Sequence, residues 1–201
     1  RDKLVTGVQT CALPIFSFFE EMPAVRVFLE QFWSHSLSVG RCARQIAEAE
    51  TENRELISEA FSAGLLHDVG KLLFAANLPQ EFGETLALAQ LQRLHPWEIE
   101  TQILGASHAE LGAYMLGIWN LPVPLVEAVA WHHCPWRGAN HLSTFAPLTA
   151  VHVANALDQD PQSKPAHSLK PTVDLDYLQN LGCADRLANW QQGCQGLEEA
   201  A

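Results

Sequence analysis

The chain has 201 residues, of which 48% are hydrophobic and 17% charged, and this composition can bury one sizeable core. Its formal net charge of −11 argues against nucleic acid or an anionic membrane as the main partner. No apolar run is long enough to span a bilayer, so the sequence predicts no transmembrane helix.

The first residues are not typical of a folded protein. Residues 1–15 contain "TGVQTCALPI", which resembles the translation of a common sequencing adapter, and they lack the continuous apolar segment of a signal peptide. We therefore predict that residues 1–15 are not native, that the natural protein was cut upstream of Phe16, and that this sequence is a fragment.

Apolar residues recur at helical spacing along the rest of the chain, and strand patterns are nearly absent. The sequence therefore predicts an all-α helical bundle, with one domain over 16–160 and a linker and helical extension packing on it over 161–201. The predicted helices span 24–50, 55–76 with a break near Gly70, 80–94, 107–119, 123–133, 145–159 and 174–193. The segments "HCPWRGANHLS" and "DQDPQSKPAHSLKPT" are predicted loops.

The cysteines show no CxxC spacing, and their number is odd. They are Cys11, Cys42, Cys134, Cys183 and Cys194. This usage predicts free thiols in a reducing cytosol, and hence a cytoplasmic protein.

Polar residues interrupt the apolar faces of several predicted helices, and this is where the sequence predicts chemistry. Six histidines and aspartates lie on the inward stripes of four helices, and an asparagine lies on a fifth. They are His35, His67, Asp68, His108, His132, His133 and Asn155. One buried histidine is more often an ordinary core residue, but seven such groups would each cost several kcal/mol unless they met at one site.

Imidazole and carboxylate ligands suit Fe, Mn, Zn or Ni better than Mg or Ca. A metal held in this way could activate a bound water and polarise a phosphoryl oxygen. Lys71, one turn beyond His67, could then contact a substrate phosphate. A solvated lysine at a helix end is an equally good interpretation of Lys71.

Five separated motifs resemble one family. They are "FWSHSLSVG", "AFSAGLLHDVGKLLF", "GASHAELGAYMLGIWNLP", "AVAWHH" and "VHVANAL". Together, over about residues 28–160, they resemble the HDOD domain, the HD-related output domain of bacterial signalling proteins. That group is a divergent branch of the HD superfamily of metal-dependent phosphohydrolases, which includes the HD-GYP phosphodiesterases. The helices that usually precede the first motif are mostly missing here.

The resemblance implies that the six histidines and aspartates match the metal positions of the superfamily, but the sequence departs from the pattern twice. Asn155 stands where the last ligand aspartate is expected, which leaves Asp68 as the only carboxylate and favours one divalent transition metal or none. Asp158, one turn further, faces the same way and could partly substitute. After His133 the chain reads "HHCPWRGANHL" instead of HHExxDGxGYP, which makes activity on cyclic di-GMP doubtful.

Three functions stay open at this point. The first is a non-catalytic signalling output module, with a missing upstream receiver or sensor domain and other signalling proteins as partners. The second is a metal-dependent phosphohydrolase acting on a nucleotide or cyclic dinucleotide, with His67 and Asp68 as ligands and Lys71 for phosphate. The third is a pocket that senses a nucleotide without hydrolysing it. The remaining histidines, His95, His141, His152 and His167, and the thiol of Cys134, are predicted to be ordinary.

Overall fold

The structure, a computed structural model, describes residues 23–138, 144–158 and 171–198, with side chains from residue 31 to residue 195 of these ranges. Within them the chain is all-helical, as predicted, and carries no strand. The longer helices are α1 Pro23–Glu50, α2 Arg54–Leu66, α4 Pro79–Gln92, α6 His108–Ile118, α9 Pro147–Leu157 and α11 Leu187–Glu198. The shorter ones are α3 Val69–Asn77, α5 Pro96–Leu104, α7 Val123–Trp131, α8 Pro135–Gly138, α10 Leu175–Asn180 and a 3-10 turn at Ala184–Arg186.

Helix α9 is the central element of the core. Every residue from Pro147 to Asn155 is buried, as expected for a helix that is apolar nearly all round. It packs against α1, α2 and α7. The segments that carry the candidate ligands are therefore arranged around one shared core.

Helices α1 and α2 pack closely, and glycines stand where they meet. A Cβ atom on Gly64 would lie 2.8 Å from the Cα atom of Gly40, closer than packed side chains allow. Asn53 caps the start of α2, because its side chain accepts a hydrogen bond from the Glu55 N–H at 3.0 Å. The register of this pair sets the distance between His35 on α1 and the end of α2.

Several predicted boundaries differ from those observed. The 55–76 segment does break, but the break lies at His67–Asp68 and not near Gly70. The Pro at position 96 starts a separate helix, α5, where the sequence suggested only a lead into the next one. A short helix, α8, also begins inside the first predicted loop. The predictions for residues 1–15 and for most of the second loop fall outside the described residues.

The expectation that all cysteines are free thiols is wrong for two of them. Cys42 on α1 and Cys194 on α11 form a disulfide, with Cα atoms 5.1 Å apart and 152 residues of separation. Their pairing depends on how α11 docks, which residue spacing does not reveal. Glu50 supports the same contact by accepting hydrogen bonds from Arg186 and from the Trp190 indole. Cys134 and Cys183 are free.

None of the helices that the structure describes combines the length and the apolar character needed to cross a bilayer.

Candidate metal centre

His67 and Asp68 lie at the junction between α2 and α3. His67 ends α2, and Asp68 leaves the helical region with φ −101° and ψ 8° before α3 begins. Their side chains are 0% and 2% exposed. The change in helix direction at this junction turns both side chains toward the same interior point.

The candidate ligands meet there in two overlapping groups that share Asp68. Within each group the ligand atoms all lie within 4.8 Å of one another. The first group is Asp68, His108, His132 and His133, and the second is His35, His67 and Asp68. All six histidine and aspartate residues selected from the sequence are therefore brought together by segments from α1, α2–α3, α6 and the end of α7.

Hydrogen bonds to Nδ1 orient two of the buried imidazoles. Nδ1 of His67 donates to the Gly64 carbonyl at 2.7 Å, and Nδ1 of His132 donates to the Val129 carbonyl at 2.8 Å. A carbonyl oxygen can only accept, so the proton must be on Nδ1. In the neutral ring, Nε2 then carries a lone pair that faces the centre of the cluster.

Carboxylates hold the outer imidazoles in the same way. Nδ1 of His108 is 2.6 Å from Glu100 Oε2, and Nδ1 of His35 is 2.8 Å from Asp158 Oδ2. As a result, Nε2 of His35 and Nε2 of His67 face each other at 3.1 Å. Two lone pairs at this separation repel unless a proton or a metal ion lies between them or beside them.

The two oxygens of Asp68 have different surroundings. Oδ2 accepts a hydrogen bond from the Lys71 ammonium at 2.5 Å, so a positive charge already neutralises that side. Oδ1 lies 3.1 Å from Nε2 of His108 and 3.8 Å from Nε2 of His132. Both Oδ1 of Asp68 and Nε2 of His132 are buried without a hydrogen-bond partner. A cation would satisfy both atoms, and the residues present therefore fit a metal best on the Oδ1 side.

Asn155, which stands where a ligand aspartate was expected, and Asp158 have different surroundings. Asn155 is buried on α9, one turn before Asp158. Asp158 follows the end of α9, where it accepts hydrogen bonds from His35 and from the Ser38 hydroxyl at 2.8 Å. Among the described residues Asp158 belongs to neither ligand group. It acts on the cluster through His35.

Two residues near the cluster were missed in the sequence. Glu100, fully buried on α5, holds His108, and Trp97 on the same helix stacks on His133 with ring centroids 3.6 Å apart. Both lie on the row Trp97–Glu100–Leu104, and a charged residue on such an inward row is the signal that could have revealed Glu100.

The residues predicted to be ordinary differ in their surroundings: His95 stacks on Trp97 with ring centroids 4.1 Å apart, and its buried Nδ1 has no hydrogen-bond partner. His152 uses Nδ1 to donate to the His132 carbonyl, and its Nε2 accepts from the Asp174 N–H. Cys134 is a half-buried free thiol outside both ligand groups. His141 and His167 lie outside the described residues.

The protonation of the cluster predicts how the metal-free protein responds to acid. Burial lowers the pKa of His67 to about 4, and burial with neighbouring imidazoles lowers the pKa of His132 and His133 well below the usual value. The unfolded chain takes up these protons from about pH 6.5 downward. We therefore expect the free energy of unfolding, measured in urea, to fall as the pH drops from about 6.5 towards 4.

One group opposes that trend. Burial acts to lower the pKa of His108, but the carboxylates of Glu100 and Asp68 together outweigh it, and the pKa is raised. The contribution of His108 to the free energy of unfolding is complete below about pH 6.5, and it is lost as the pH rises through the pKa of His108 in the folded state. Because three imidazoles have lowered pKa values and one has a raised value, we expect the free energy of unfolding to fall on acidification. An unfolding free energy that is constant from pH 7.5 to pH 5 would contradict this protonation pattern.

An all-helical bundle whose buried histidines and aspartate converge on one point defines the protein as an HD-type helical domain. A family model of the HDOD domain matches residues 8–135, which is more than half of the chain. The chain belongs to the HDOD domain family.

Individual similarities agree with this assignment. An uncharacterized protein of Treponema pallidum (strain Nichols) is 29% identical over 104 residues, which are 52% of this chain and 20% of that protein. The chain thus spans about a fifth of the length of this curated relative. The structure of an HDOD domain protein with unknown function from Geobacter sulfurreducens gives a TM-score of 0.65 at 23% identity, covering 85% of this chain and 58% of that one.

A second solved structure, named "Putative phosphohydrolase" and from Shewanella amazonensis SB2B, gives a TM-score of 0.55 at 22% identity. It covers 85% of this chain and 63% of that one. At these identities the two solved structures support the fold alone.

Proposed function

We propose that the chain is a bacterial signal-transduction output module that acts through protein contacts and carries one divalent transition metal in a non-catalytic site. The observation that carries the proposal is the buried pair of unpartnered atoms, Asp68 Oδ1 and His132 Nε2. Family membership and the bacterial origin of the relatives support the signalling context.

The metal would be held by Asp68, His108, His132 and His133. Imidazole and carboxylate donors favour Fe, Mn, Zn or Ni at such a site. When bound, the ion supplies a Lewis-acidic positive charge. The chain's own residues hold the donors in place, because α3, α6 and the end of α7 each contribute ligands to one point.

Three features favour a module over an enzyme. The Lys71 ammonium is bound to Asp68, which leaves it poorly placed to contact a substrate phosphate. The imidazoles of His67, His108 and His132 are almost fully buried. His35 and Lys71, at 15% and 24% exposure, are the more accessible side chains of the cluster. The segment after His133 also lacks the acidic residues and the GYP triplet of the hydrolytic relatives.

The alternative is a metal-dependent phosphohydrolase, and the two ligand groups that share Asp68 favour it. In that case His35 and Lys71 would line the approach for a phosphodiester, with Asp68 and Lys71 as the residues that contact the reacting groups. A pocket that senses a nucleotide without hydrolysing it would use the same approach.

The partners in this proposal are an upstream receiver or sensor domain and other signalling proteins, with neither nucleic acid nor membrane among them. A cytoplasmic location is part of the proposal, and the Cys42–Cys194 disulfide is the observation against it, because disulfides rarely persist in a reducing cytosol.

The test combines metal analysis with a phosphodiester panel on the full chain. We expect about one equivalent of transition metal per chain and no hydrolysis of bis-p-nitrophenyl phosphate or cyclic dinucleotides with added Mn or Fe. Turnover that is lost in His67→Ala would establish the phosphohydrolase instead. If no metal copurifies and added Zn, Mn or Fe leaves the melting temperature unchanged, the metal part of the proposal is wrong.

A further inference from the structure

Glu100 makes two hydrogen bonds to a single residue, and that residue is a candidate ligand. Its Oε2 accepts from the His108 backbone N–H at 2.7 Å and from His108 Nδ1 at 2.6 Å. The Glu100 side chain is fully buried, and its other oxygen, Oε1, has no hydrogen-bond partner. Burying a carboxylate costs free energy unless a hydrogen-bond donor or a positive charge compensates for the lost water.

We propose that Glu100 is a positioning residue for the metal site, which fixes the ring of His108 and adds a negative charge behind it. The inference rests on the proposed metal-binding function. Because one oxygen binds both the backbone and the ring of His108, turning the ring about its axis would break the bond to Nδ1. Nε2 is therefore directed at Asp68 Oδ1, 3.1 Å away.

The start of helix α6 does not require this contact. Ser107 already caps α6, because its hydroxyl accepts from the Glu110 N–H at 3.2 Å, and the Glu110 carboxylate accepts in turn from the Ser107 N–H at 2.9 Å. The additional hydrogen bond between Glu100 and the imidazole therefore orients the ring of His108 and is not needed to stabilise the start of the helix. A carboxylate–histidine pair of this kind makes the imidazole a stronger donor to a metal.

Glu100 also bears on the charge of the site. With Asn155 in place of a carboxylate, Asp68 is the only carboxylate in the two ligand groups that the described residues form. Glu100 and Asp158 each place a further carboxylate directly behind a ligand imidazole, at His108 and at His35. Of the two, Glu100 supports the group whose donor atoms lack partners.

Two variants separate charge from hydrogen bonding, and a third is the control. Glu100→Gln keeps the volume and an acceptor but removes the charge, and Glu100→Leu removes both. Glu110→Gln weakens the cap of the same helix without touching His108. We would measure Zn²⁺ and Co²⁺ affinity by competition with a chelator, the visible spectrum of bound Co²⁺, and the ring ¹⁵N shifts of His108 in the metal-free protein.

We expect Zn²⁺ to bind roughly 10-fold more weakly to Glu100→Gln and about 100-fold more weakly to Glu100→Leu, with an altered Co²⁺ spectrum. In Glu110→Gln the melting temperature should fall while the affinity stays unchanged. Affinities and spectra equal to wild type in both Glu100 variants would overturn the proposal.

The metal-free measurement keeps this inference separate from the proposed function. If wild type binds no metal, the proposed metal site fails, and the ¹⁵N shifts still decide the role of Glu100. A His108 proton fixed on Nδ1 in wild type and shared between both nitrogens in Glu100→Leu supports positioning, whereas an unchanged proton position overturns it. Should Glu100→Leu not fold, the shorter Glu100→Asp takes its place in the same measurement.

Discussion

Replacing Asp68 with asparagine should abolish metal binding and lower the free energy of unfolding of the metal-free protein by about 3 kcal/mol. Asp68 is the one residue that the two ligand groups share. Its carboxylate also neutralises Lys71. An amide keeps the shape but not the charge, so Lys71 and the surrounding imidazoles would lose their common counter-charge. Burial alone would raise the pKa of Asp68, but His67, Lys71 and His108 together outweigh it, and the pKa is lowered.

The measurement is chelator-competition titration together with urea denaturation of the metal-free protein. Asp176→Asn is the matched control, because Asp176 is exposed on α10 and should change the stability by less than about 0.5 kcal/mol. Wild-type metal affinity in Asp68→Asn would show that Asp68 is not a ligand, even though it lies at the centre of the cluster.

Among the glycines that the structure describes, Gly70 is expected to tolerate alanine least. A Cβ atom at Gly70 would lie 2.0 Å from the His108 carbonyl oxygen and 2.7 Å from its carbonyl carbon. Backbone atoms cannot move aside like a flexible side chain, so α3 would have to separate from α6. We expect a loss of about 3 kcal/mol or more and, because His108 moves with α6, weaker metal binding.

Gly83→Ala is the control for this substitution. Gly83 lies inside α4, and a Cβ atom there would meet nothing within 4 Å. Alanine should raise the stability by roughly 0.5–1 kcal/mol, because it restricts the unfolded chain and favours the helix. Thermal melts of both variants would check the pair, and equal stability of Gly70→Ala and wild type would contradict the close contact of α3 and α6.

Helical periodicity was sufficient to predict the fold class and the inward direction of the ligands. His35, His108 and His132 interrupt apolar rows, and that pattern remains visible when the tertiary structure is unknown. The break at His67–Asp68 could not be placed in the same way. Gly70 is the obvious helix breaker by propensity, yet it lies inside α3, where the contact with α6 requires it.

Other parts of the site depend on how separate helices pack against one another. Glu100 lies eight positions from His108, and the two meet only because α5 folds back beside α6. Asp158 reaches His35 across a separation of 123 residues. The resemblance to a family draws attention to direct ligands, whereas the carboxylates behind them are recognised from distances and burial.

The disulfide between Cys42 and Cys194 gives the molecule a covalent topology that the helices alone do not have. It closes a ring that contains every candidate ligand except His35, which lies on α1 about two helical turns before Cys42. In the oxidised chain, a single backbone cut between the two cysteines would therefore open the ring without releasing a fragment. The His67–Asp68 pair and the His132–His133 pair would stay on one connected molecule even after a cut between them.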